Sequence, residues 1–270
     1  MSQTRIGRLF NRLRAEGRPA LIAYLTAGDP APERTPALVA ALERGGADLI
    51  ELGVPFSDPT ADGPVIQRGS ERALKAGTTL ARVLDIAREI RETSDIPLLL
   101  FTYINPIIRY GLEKLSHDAV QSGIDGCLMT DLSVDEAGPY RDVMRTAGLD
   151  TVFLGAPTST SQRLQLIAEY STGFVYLVSR AGVTGERNTV SELVAPLVAR
   201  MRALTTLPLA VGFGISTAEH VRAVGSVADG VAVGSAFVRT IEENAGSPLL
   251  EERLETLARE LAGGLPSKNR

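Results

Sequence analysis

Short, largely apolar stretches of strand type recur along the chain, at residues 20–25, 49–52, 98–102, 126–129, 151–154, 174–178, 209–211 and 230–233. A strand with one wet face would alternate apolar and polar positions. Runs of this length without such alternation predict strands covered on both sides, and hence parallel pairing. Between them lie segments with helical periodicity, at 32–44, 80–92, 112–122, 135–147, 161–170, 191–204, 217–224 and 235–243. Start and stop signals frame several of these: Thr160 or Ser161, Ser216 or Thr217 before helices, and Gly45, Gly123 and Gly148 after others. Eight strand-helix repeats predict a closed (β/α)8 barrel of the TIM type. An open doubly wound sheet is the alternative, but its edge strands would read as shorter or more charged, and none does. Extra helices are expected before the first strand, at 5–16, and after the eighth, at 249–261. The long insert 53–79 after the second strand holds a further short helix at 65–75.

The chain has 270 residues, 44% hydrophobic and 22% charged, which suits one large domain or two small ones; the unbroken repeat favours a single barrel over residues 1–270. A net charge of −4 without long charged runs argues against a partner that is nucleic acid or a membrane surface. Cys127 is the one cysteine, so no disulfide can form within the chain, and a reducing cytoplasm is the expected location. The basic, amphipathic residues 5–18 imitate a transit peptide but lack an apolar segment and a cleavage site, and read as a helix of the mature protein. No stretch approaches the roughly 18 apolar residues that a membrane span requires.

One segment breaks the apolar rule. The second strand, Leu49-Ile50-Glu51-Leu52, carries a carboxylate, and the loop after it adds Asp58 and Asp62 between Pro55, Pro59 and Pro64. An unpartnered buried carboxylate is costly, so Glu51 belongs at a strand end facing a cavity. The stiff loop could return Asp62 over the same opening. Two carboxylates on one pocket suit acid and base work, though Asp62-Gly63 could also be a plain turn and Glu51 a rim residue in a salt bridge.

In such barrels the site lies at the carboxyl ends of the strands. The first strand ends in Tyr24-Leu25-Thr26, the third in Phe101-Thr102-Tyr103, and the sixth runs Tyr176-Leu177-Val178. Tyrosines at one rim suit a flat apolar ligand, or else cap core strands. Gly212-Phe213-Gly214-Ile215-Ser216 and Gly234-Ser235 each lead into a helix after the last two strands. Exposed amides there can hold a phosphate without a basic side chain, although glycines also serve tight turns. The loop 179–188, with Gly182 and Gly185, has the profile of a lid. No metal-ligand cluster, nucleophile elbow or dinucleotide fingerprint is present; His117 and His220 stand apart in helical segments.

The segment from Glu51 to Gly63 closely resembles the signature of the tryptophan synthase alpha subunit family. The likeness runs from about Arg8 to Ile241 and takes in residues 24–30, 103–106, 176–185, 212–216 and 234–235. It implies a lyase that cleaves indole-3-glycerol phosphate by a retro-aldol step to indole and glyceraldehyde 3-phosphate, in tryptophan biosynthesis. By this resemblance Glu51 is the general acid and base, Asp62 holds the indole N–H, and Tyr176 completes the catalytic set. Tyr24, Tyr103 and Phe213 would surround the indole, and Leu100 would also bind substrate. Thr184, Gly185, Gly214, Ile215, Gly234 and Ser235 would complete the substrate site and cradle its phosphate. No metal and no cofactor is implied for this chain; pyridoxal phosphate is expected in a beta subunit, the partner in an α2β2 assembly. Thr60, where the family commonly has a larger apolar residue, and the turn Asp131-Leu132-Ser133-Val134-Asp135, where it often has prolines, depart from the pattern at the face turned to that partner. A phosphosugar isomerase on the same scaffold, or a noncatalytic activating subunit, are the competing readings.

Overall fold

The computed structural model describes residues 4–178, 190–212 and 214–267, with the backbone alone for 190–193. Among them nine strands form one sheet: β1 (Ala20–Thr26), β2 (Leu49–Gly53), β3 (Leu98–Thr102), β4 (Gly126–Met129), β5 (Asp150–Val152), β6 (Leu154–Gly155), β7 (Val175–Val178), β8 (Leu209–Gly212) and β9 (Gly230–Val233). Every pairing is parallel, in the order β5-β4-β3-β2-β1-β9-β8-β7-β6. The fifth apolar stretch is thus divided at Phe153. Its first half pairs with β4 and its second with β7, so the two ends of the sheet order are joined through one residue and the barrel is nearly closed. A tilted, staggered strand in a small barrel leaves one neighbour before it meets the next, which accounts for the division.

Helices lie between the strands where the periodicity puts them. Thr79, Thr160 and Thr217 act as N-caps, each side chain accepting a hydrogen bond from the backbone N–H three residues on. Two differences from the sequence reading have local causes. A short helix, Ile104–Tyr110, follows β3; its Pro106 falls in the first turn, where a missing N–H costs nothing. The helix expected at 135–147 begins later, at Gly138 with Pro139 in its first turn, after a separate 3-10 turn at Val134–Glu136.

The pleat sorts the apolar residues into two layers. Leu21, Ala23, Ile50, Leu98, Leu100, Val175 and Leu177 face the helices, whereas Ile22, Leu49, Leu99, Leu128, Val152, Phe174 and Ala210 fill the barrel. The N-terminal helix Arg5–Glu16 closes the floor, burying Ile6, Leu9, Phe10 and Leu13 against that inner layer. Apolar side chains therefore plug the barrel interior from below; the buried Asp48, Asp125 and Asp150 at the amino-terminal strand ends are held by Arg18, by Arg5 and Arg91, and by Thr4.

Candidate active site

Strand register places Tyr24 of β1 beside Glu51 of β2, and Glu51 beside Leu99 of β3. Leu49 and Leu99 point into the barrel, so by alternation along β2 Glu51 points in as well, one step nearer the mouth. It is 1% exposed, and among the described residues its Oε1 has no hydrogen-bond partner. Burial alone raises its carboxyl to about 8. A neutral, proton-bearing acid is thus kept ready in an apolar setting.

Asp62 arrives from the loop between β2 and the helix Pro64–Lys75, which Pro64 starts in its first turn. Tyr103 positions it: the phenol donates to Asp62 Oδ2 at 3.0 Å and accepts from the backbone N–H of Ala61 at 3.0 Å. Gln67 adds a second tie, its side-chain amide donating to the Asp62 carbonyl at 2.9 Å. Burial lifts the Asp62 carboxyl to about 6, against the lowering effect of the Tyr103 hydroxyl. Asp58, by contrast, is exposed, and its carboxylate accepts a hydrogen bond from the neighbouring Ser57 hydroxyl.

Tyr24 and Tyr176 flank the opening. The Tyr24 ring lies over Gly53, where a Cβ would come 2.3 Å from the phenol oxygen, and Tyr176 lies over Gly212, where the same contact would be 1.9 Å. Glycine at the ends of β2 and β8 is thus what admits the two rings. Both phenols are pushed far up by burial, and both feel Glu51 and Asp62, so the two carboxylates share one opening with them. Phe101 packs edge-on to Tyr24 with centroids 5.2 Å apart, and Phe56 lies 5.1 Å from Tyr103.

One expected residue does not join this group. Leu100 faces the helices and is buried in the outer layer, because Leu99 and Phe101 take the inward phase of β3. Phe101, which the reading passed over, occupies the wall instead. Gly214 is exposed in the left-handed conformation with φ of 73°, beside buried Ile215. Gly234 packs against the Tyr24 ring, and the exposed Ser235 opens the helix Ser235–Asn244, whose start has no side-chain cap and so leaves its first amides open to an anion. Thr184, Gly185 and Phe213 lie outside the described residues. Among the described residues no group of three or more histidine, cysteine or acidic side chains could hold a metal ion.

The family model for the tryptophan synthase alpha chain matches residues 10–265. The chain belongs to the tryptophan synthase alpha chain family. It is 67% identical over 265 residues to the tryptophan synthase alpha chain of Solibacter usitatus (strain Ellin6076), covering 98% of this chain and 99% of that one. The alpha chain of Geotalea uraniireducens (strain Rf4) is 47% identical over 262 residues, with 97% and 98% covered. Among solved structures, tryptophan synthase subunit alpha from Legionella pneumophila str. Paris superposes with a TM-score of 0.91 at 36% identity, covering 97% of this chain and 98% of that one. A chain of tryptophan synthase from M. tuberculosis gives 0.88 at 36% identity, with 97% and 98% covered. Membership carries the activity with it: the chain is a carbon-carbon lyase of tryptophan biosynthesis, catalysing the alpha reaction, and its fold is the expected barrel. No helix among the described residues is long and apolar enough to cross a membrane.

Proposed function

We propose that Glu51 carries the proton transfers of the retro-aldol step while Asp62 holds the indole nitrogen. Cleavage requires a proton on carbon 3 of the indole and removal of one from the side-chain hydroxyl next to the bond that breaks. Glu51 gives its proton to carbon 3; the resulting carboxylate takes the hydroxyl proton as the carbon-carbon bond opens, releasing indole and glyceraldehyde 3-phosphate and restoring the acid. As the ring is protonated its nitrogen becomes cationic, and the ionised Asp62 stabilises charge where it develops. Tyr24, Phe101 and Tyr103 form the aromatic walls, and Tyr176 bounds the opening on the side of β7. Gly214, Ile215, Gly234 and Ser235 supply backbone and hydroxyl donors to the phosphate, with Thr184, Gly185 and Phe213 completing the site.

The observation that carries this reading is Glu51 itself, a carboxyl buried at the mouth of the barrel with an oxygen unpartnered among the described residues. In the Glu51→Gln variant, indole release from indole-3-glycerol phosphate is expected to vanish while the circular dichroism spectrum stays that of the wild type. Near-normal turnover would end the assignment. A beta subunit bearing pyridoxal phosphate is the proposed consumer of the indole, in an α2β2 assembly in the cytoplasm. Its docking face would be the carboxyl-terminal rim, where the loop containing Thr60 is exposed and Ile108 stands 66% exposed on the helix Ile104–Tyr110. There Arg163 pairs with Asp135 and reaches Ser133, so a polar latch holds the turn in which relatives often use prolines.

A further inference from the structure

Asp29, in the loop after β1, is fully buried and has no part in the chemistry assigned above. Both of its oxygens are taken by Arg72, whose Nε and Nη2 each donate at 2.8 Å. The remaining terminal nitrogen of Arg72 donates to Glu242 at 2.8 Å. Arg68, four residues earlier, grips the same carboxylate through Nε at 2.6 Å and Nη2 at 2.8 Å. One cluster thereby ties the loop after β1 to the helix Pro64–Lys75 and to the helix Ser235–Asn244.

Those helices start at the two ends of the substrate site. Pro64 follows Asp62 by two residues, and Ser235 is the first residue of the phosphate-side helix. Gly69 lets them pack closely: a Cβ there would stand 3.0 Å from Val238, 3.1 Å from the Thr26 hydroxyl and 3.2 Å from Asp29. A planar guanidinium fork fixes orientation as well as distance, which an ammonium does not.

We propose that Arg72 is a positioning residue that sets the span between the Asp62 turn and the amides at Ser235, so that a substrate held at both ends meets Glu51 in register. The inference rests on the two-ended reading of the site. Its signature is selective, because a ligand that touches one end needs no particular span, whereas one that bridges both does.

The test compares Arg72→Lys, Glu242→Gln and the double variant Asp29→Asn with Arg72→Gln, which removes both charges of the ion pair together. Three probes are titrated into the full chain: indole-3-propanol phosphate, which bridges both ends, and inorganic phosphate and indole, which each occupy one. In Arg72→Lys the affinity for the bridging probe and kcat/KM for indole-3-glycerol phosphate are expected to fall by about 10- to 100-fold. Affinities for the one-ended probes should stay within about a factor of two. Undiminished binding of the bridging probe overturns the proposal, and so does a parallel loss for all three probes. Should Arg72→Lys fail to fold, the double variant and Glu242→Gln, whose carboxylate is partly exposed, decide the matter by the same criterion. A wild-type chain that releases no indole would instead sink the assigned reaction, which separates the two failures.

Discussion

Glu51 has left water and among the described residues gains no donor at Oε1, and its carboxyl rises to about 8; Asp62, half sheltered and bonded to Tyr103, rises to about 6. The proposed chemistry starts with the first protonated and the second ionised. A plot of kcat/KM against pH should therefore be bell-shaped, rising as Asp62 ionises near 6 and falling as Glu51 loses its proton near 8. Asp62→Asn should remove the acid limb and keep the alkaline one; an unchanged acid limb would show that another group sets it. The same shift bears on stability. An unfolded chain holds this glutamate near 4.5, so between 4.5 and about 8 the folded state binds the extra proton and stability falls as pH rises through that window. The loss is on the order of a few kcal/mol. Glu51→Gln is spared it, so thermal melts should find the variant more stable than the wild type at pH 8, with the gap closing towards pH 4.5. A gap that stayed constant with pH would mean that burial does not perturb the carboxyl.

The ends of β2 and β8 show how elements shape the mouth. Gly53 and Gly212 have ordinary backbone angles, and they are needed because phenol rings lie where a Cβ would stand. Gly212→Ala must push the buried Tyr176 aside. An overpacking cost of about 1–3 kcal/mol is expected in urea denaturation, together with a loss in kcat/KM of roughly ten-fold or more from the displaced wall. Full activity with an unmoved ring would contradict the close approach. This requirement was not legible in the sequence, where Gly212 read as a phosphate-loop or turn residue and position 53 only as the start of the insert after the second strand. The Leu100 misplacement has a related cause. Leu98 to Phe101 are apolar throughout, so β3 offers no polar phase from which to tell the barrel side from the helix side. β2 does offer one, since Glu51 marks the inward phase. The division of the fifth strand at Phe153 was equally hidden, because one unbroken apolar run serves two partners. Nothing in local spacing announces that the fully buried Asp29 pairs with the partly buried Arg72 43 residues on.

At the scale of the molecule, the repeat of apolar runs and helical segments was enough to give the barrel, because each repeat must cover both faces of its strand and only closure spares the edges. The same logic assigns different duties to the two ends. The carboxyl-terminal mouth holds the carboxylates and the glycine-rich loops, whereas the floor is an apolar plug in which Phe10 of the helix Arg5–Glu16 meets Phe174 with centroids 5.5 Å apart. Phe10→Ala leaves a void that the packed inner layer cannot fill, at a cost of about 3–5 kcal/mol. Against a typical total of about 5–15 kcal/mol, the variant remains folded at room temperature. Its melting temperature should drop by roughly 10 °C, taking about 2–4 °C per kcal/mol for a chain of this size. Below that transition, KM for indole-3-glycerol phosphate and the pH profile should match the wild type, because the floor touches no group that meets substrate. The contrast with Gly212→Ala is the point of the comparison: the smaller loss of stability at the mouth must appear in catalysis, and the larger one at the floor must not. A Phe10→Ala enzyme with a shifted alkaline limb would show that the plug reaches Glu51, through the inner layer of Ile22, Leu49 and Leu99, and would refute this separation of the two ends.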